Sequence, residues 1–128
     1  MLPDAHMRAE NLAARAELLL RKGQDIIARE AYAEAGVEER TALREVPSHL
    51  PRTRGILAVS AVALFYKAGR YLDAADLAEE MLGEDLPSFA RWQLADLRAA
   101  AVEGIQGCAP PITFDANPRV VRALIEAE

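Results

Sequence analysis

What this chain has little of narrows its reading first. It holds one cysteine, Cys108, in 128 residues, which excludes an intrachain disulfide and any cysteine-based metal site. A lone thiol is no mark of an oxidising compartment, so the expected location is cytoplasmic. Histidine is almost as scarce: His6 stands in the N-terminal turn and His49 in a proline-rich stretch. No HExxH motif, glycine-rich phosphate loop or GxSxG elbow occurs. The sequence therefore assigns no catalytic residues, no metal ligands and no cofactor, and the expectation is a protein that is not an enzyme. His6 and His49 are expected as solvated surface residues. Cys108 has no nearby base or basic helix end to activate it, and is expected as a small buried or half-buried thiol.

Basic residues are outnumbered, with 15 Lys and Arg against 20 Asp and Glu and a net charge of −5. That balance argues against nucleic acid, which needs clustered cations to displace phosphate counterions, and against anionic membrane surfaces. Long apolar runs are missing too. The most apolar stretch, Gly55 to Tyr66, falls short of the roughly 20 residues a spanning helix needs, and MLPDAHMRAE lacks the apolar core of a signal peptide. Aromatics are 5% of a chain that is 52% hydrophobic, so the apolar content is mostly Ala, Leu, Val and Ile. That composition predicts helices packed closely through small residues, an all-α fold in one domain.

What is present bears the helical reading out along the chain. The first helix spans about Asp4 to Lys22, with Leu12, Ala16, Leu19 and Leu20 on one face and Gly23 as its stop. The second opens near Gln24-Asp25 and carries an alanine-rich stripe through Ala28, Ala31, Tyr32 and Ala35; its end falls between Gly36 and Val46. VPSHLPR, residues 46 to 52, is a linker with two prolines. The third helix starts at Thr53 as N-cap and runs to Lys67, and Ser60 and the Tyr66 hydroxyl are its only polar groups between Gly55 and Tyr66. After a turn at Gly69, a fourth helix covers Tyr71 to Leu82, its inner stripe small and its outer face carrying Asp73, Asp76, Glu79 and Glu80. Glu84 and Asp85 extend this acidic run, which is expected to be solvated. Ser88 caps a fifth helix to about Glu103, and an irregular tail with a short amphipathic helix through Val120, Val121, Leu124 and Ile125 closes the chain.

Phe65, Gly69, Tyr71 and Ala74, continued by Ala78, Met81 and Leu82, resemble a tetratricopeptide repeat: an aromatic late in one helix, glycine at the turn, then an aromatic and a small residue opening the next. Leu12, Ala16, Leu19, Gly23, Ala28, Tyr32 and Ala35 match more weakly, with Asp25 where the aromatic belongs. The early tryptophan and Leu-Gly pair of the family are absent from the third helix, where Ala58, Ala61 and Val62 stand, and extra sequence around Thr41 to Pro51 separates the two units. The resemblance covers about Asn11 to Glu103. It implies antiparallel hairpins stacked as a short right-handed α-α superhelix, two degenerate repeats plus a capping helix.

It also implies a function. The first helix of each pair would line a concave face, placing Glu10, Ala13, Ala14, Glu17, Leu20 and Arg21 beside Ile56, Val59, Ser60, Ala63, Tyr66 and Lys67. The chain is then a non-catalytic interaction or scaffold module for a protein or peptide partner or a second copy of itself. The second set is too apolar to face water, so its expected cover is the Ile112 to Ile125 tail, a second copy or a partner segment. A different reading starts from Arg52, Thr53, Arg54 and Gly55, two guanidinium groups at a helix N-terminus where anions are favoured. It makes the chain a regulatory accessory, antitoxin-like or sensing a nucleotide or other anion. Glu84 and Asp85 of the same chain compete for those arginines.

Overall fold

The structure is a computed structural model and describes residues 2–111. Five helices follow one another: α1 (Asp4–Arg21), α2 (Asp25–Glu45), α3 (Pro51–Lys67), α4 (Tyr71–Leu82) and α5 (Ser88–Ile105). No strand occurs among the described residues, and the fold is all-α.

Two turns of the same design fold the chain into hairpins. Gly23 and Gly69 adopt φ of 77° and 75°, a left-handed conformation that costs other residues a Cβ clash. Each lets the next backbone N–H reach back past the helix end, Gln24 to the Leu19 carbonyl at 3.0 Å and Arg70 to the Phe65 carbonyl at 2.9 Å. The orphan carbonyls of both helix ends are thereby satisfied.

The end of α2 falls within the expected span of Gly36 to Val46, while two helix starts depart from expectation. Gly36 lies inside α2, which continues to Glu45 and stops only ahead of Pro47. The α3 helix starts two residues before Thr53, with Pro51 at its first position and Leu50 at the cap. Proline suits that place because its fixed φ is helical and its missing N–H would have no intrahelical partner. Likewise Ser88 is the first helical residue of α5, and Pro87 occupies the cap position.

The apolar face read for α1 is inner only in part: Ala16 is buried and Leu12 and Leu19 are half-buried against the core, while Leu20 is exposed. Ala5, His6, Ala9, Ala13 and Ala16 are buried, while Leu18 and Leu20 are 45% and 49% exposed. The alanines of α1 face Ala28, Ala31, Ala35 and Ala42 on the buried side of α2. Two alanine faces let the helices approach closely, and the leucines flank that seam. The α3 helix sits at the centre, packed on α2, α4 and α5, and every residue from Gly55 to Tyr66 is buried. A helix covered on all sides needs no polar face, and α3 offers none.

Candidate partner-binding site

Three polar side chains meet in the middle of this apolar packing. His6 Nδ1 donates to Glu39 Oε1 at 2.6 Å, and Ser60 Oγ donates to Glu39 Oε2 at 2.7 Å. All three residues have 0% exposure. The carboxylate so joins α1, α2 and α3 at one point. His6 Nε2 has no hydrogen-bond partner among the described residues. The expectation of a solvated His6 is therefore overturned: the first turn of α1 lies against α2, and Glu39 supplies the partner that burial demands. The Ser60 proton goes to the carboxylate and the group is sealed from water, so it holds helices together and presents no nucleophile at the surface.

Arg54 is spent inside the chain. Its Nε and one terminal nitrogen reach both carboxylate oxygens of Glu84 at 3.0 and 2.6 Å. The other terminal nitrogen donates to the carbonyls of Leu43 and Val46 at 3.0 and 2.6 Å, at the end of α2. Its side chain is 13% exposed. Of the residues 52–55 read as an anion site, Arg52 is exposed and Thr53 is half-buried. Gly55 faces α5, where an added Cβ would stand 2.9 Å from that of Ala90.

The acidic run is shared among cations of the same chain. Asp73 pairs with Arg70, Glu79 approaches Arg98, and Glu80 takes two hydrogen bonds from Arg44 at 2.9 and 3.3 Å. Those bonds hold the Glu80 carboxyl below its ordinary value of 4.5, against a smaller opposing effect of burial. Both side chains of that pair are half exposed, so it is worth little.

The ten residues read as partner-binding divide into three groups. Ile56, Val59, Ser60, Ala63 and Tyr66 are buried, so they form no open groove. The described end of the chain returns to this stripe, where Tyr66 Oη donates to the Pro110 carbonyl; the Ile112 to Ile125 segment lies outside the described residues. Glu10 and Glu17 are half-buried. Leu20, Arg21 and Lys67 reach the surface at the end of the bundle where α1 and α3 finish and α2 begins.

There the structure forms a concavity that the sequence did not reveal. It holds about 340 Å³ and is lined by Leu20, Asp25, Ala28, Arg29, Tyr32 and Lys67. Lys67 Nζ stands 5.9 Å from the centre of the Tyr32 ring, within reach of a cation–π attraction. Burial raises the Tyr32 hydroxyl above its ordinary 10.0; the Glu17 carboxylate adds to this, and Arg21 opposes it. The hydroxyl therefore keeps its proton at neutral pH. Apolar floor and charged rim of both signs are the makings of a small recognition site. Only Leu20 and Lys67 of its lining were legible beforehand, because Asp25, Ala28, Arg29 and Tyr32 belong to α2, which the repeat resemblance places behind the groove.

Cys108 is exposed, not buried; it follows the last turn of α5, where the backbone has left the helical packing. Among the described residues no cluster of His, Cys, Asp and Glu is arranged to hold a metal ion, and no helix is long and apolar enough to cross a membrane. No protein-family model, curated protein or solved structure matches the chain.

Proposed function

We propose that the chain is a non-catalytic protein-interaction module, built as two tetratricopeptide-like hairpins with α5 as their cap. It takes a partner segment across the ends of α1, α2 and α3. The observation that carries this reading is the concavity over Tyr32, where Leu20 from α1 and Lys67 from α3, both candidate groove residues, meet the opening of α2. The likeness of the Gly23 and Gly69 turns supports the repeat arrangement. The partner places one aliphatic or aromatic side chain on the Leu20, Ala28 and Tyr32 floor. Its polar groups meet Asp25, Arg29 and Lys67. This site is smaller than a full concave face, because the apolar half of that face serves as core.

Peptides selected against the whole chain from a random display library test the reading. Binding should shift the backbone NMR signals of Leu20, Ala28 and Lys67 first. Leu20→Glu should weaken it at least ten-fold, about 1.4 kcal/mol, with an unchanged melting temperature, since Leu20 is half exposed. Selected peptides that map to another face and ignore Leu20→Glu and Lys67→Glu would sink the proposal.

A further inference from the structure

The α5 helix buries one side, through Ala90, Leu94, Leu97, Ala101 and Gly104, and leaves an ordered pattern on the other. Trp92 is 77% and Val102 42% exposed, and the exposed Ala95 and Ala99 lie between them. The spacing is three, four, three, which brings all four into one seam along the helix. Exposed Arg91 and Arg98 flank it on one side, and exposed Asp96 and Glu103 on the other.

We propose that this face is a self-association surface on which a second copy of the chain docks its own α5, with the two helices parallel. The charges choose the occupant and its direction. In a parallel helix pair, the residue just before a seam position faces the partner residue five places further on. Arg91 then meets the second copy's Asp96, and Arg98 its Glu103, each pair occurring twice by symmetry. In an antiparallel pair each flank meets its own kind, arginine against arginine and carboxylate against carboxylate, which repels. A depression of about 400 Å³ lined by Leu82, Arg91, Trp92, Ala95 and Asp96 receives the second copy's Trp92, and gives its own in return. The present partners of the arginines compete weakly: Arg98 stands 3.6 Å from Glu79 with both side chains exposed, and Arg91 donates to the Glu84 carbonyl at 2.8 Å. Two alanines in the seam keep its apolar area small, so the dimer is a reversible one. This surface is separate from the concavity over Tyr32 and stands or falls without it.

The chain contains a single tryptophan, so its emission reports this face directly. Sedimentation equilibrium and fluorescence of the whole chain, from low micromolar to near-millimolar concentration, should show a monomer–dimer equilibrium with Trp92 emission moving to the blue as dimer forms. Arg98→Glu should weaken the dimer about ten-fold by setting like charges opposite each other, and adding Glu103→Arg should restore it. Both positions are exposed, and circular dichroism checks that each variant keeps its helices. A chain that stays monomeric, a dimer with unshifted Trp92 emission, or an Arg98→Glu variant that associates more tightly would each overturn the proposal; the last would mean antiparallel pairing.

Discussion

Glu39 occupies a place on α2 that its neighbours fill with alanine. Ala28, Ala35 and Ala42 repeat every seven residues along the buried side, and Glu39 follows Ala35 by one turn, on the same stripe. A carboxyl group there needs donors on both oxygens, and His6 and Ser60 supply them at 2.6 and 2.7 Å. Replacing Glu39 by Leu removes the acceptor and leaves both donors buried. Each such orphan costs about 1–3 kcal/mol, so the variant should lose several kcal/mol in urea unfolding. The triple change His6→Leu, Glu39→Leu, Ser60→Ala should be markedly more stable than that single change, because no polar atom is then stranded. A triple variant no better than the single one would mean that the group's worth lies in shape rather than in hydrogen bonding. The sequence held a trace of this cluster: Ser60 is the only polar residue in mid-α3, and the alanine period runs through Glu39. The burial of His6 left no such trace, since it depends on how closely α1 lies against α2.

At the scale of the helices, glycine decides where they touch. Gly36 in mid-α2 costs roughly 1 kcal/mol of helix propensity against alanine, yet α2 passes through it without a break. The reason is Phe65 of α3, whose ring atoms would stand 2.9, 3.0 and 3.1 Å from a Cβ at position 36. Phe65 is 1% exposed and has little room to withdraw. Overpacking of this kind costs about 1–3 kcal/mol, which exceeds the propensity gain. Gly36→Ala is thus expected to lower the melting temperature although it improves the helix, and Phe65→Leu in the same chain should recover part of the loss. A stabilised Gly36→Ala variant would show that the ring yields. Gly104 repeats the arrangement between α5 and α4, where a Cβ would meet Tyr71 ring atoms at 2.6 to 2.8 Å. Propensity alone made Gly36 a candidate helix end; the ring against it explains why glycine stands within a helix that continues.

For the molecule as a whole, Arg54 is the tie between its two halves. One guanidinium satisfies the last carbonyls of α2 and the carboxylate of Glu84 beyond α4. Its planar fork meets four acceptors in fixed directions, which a lysine ammonium cannot reproduce. Arg54→Lys should therefore destabilise nearly as much as Arg54→Ala, by about 2–3 kcal/mol given the strength of charge-assisted bonds. Amide exchange should quicken from Leu43 to Val46 and around Glu84 before the rest of the chain opens. Equal exchange in Arg54→Lys and the parent would show that the tie is dispensable.

The sequence by itself determined the all-helical class, the number of described helices, the glycine turns and the apolar character of α3 on every face from Gly55 to Tyr66. These follow from local chemistry: apolar periodicity, proline and glycine stops, and a run with no polar face to offer water. The tertiary structure decided what those helices do to each other. It buried the alanine face of α1, kept Leu12 and Leu19 half-buried beside it and left Leu18 and Leu20 exposed, since two alanine faces let the helices approach closely. Of the two carboxylates that the sequence set against the arginines, it gave Glu84 to Arg54; it also enclosed His6 with Glu39 and Ser60, and opened the concavity over Tyr32 from three helix ends. Contacts so distant along the chain depend on relative helix placement, which no local pattern encodes.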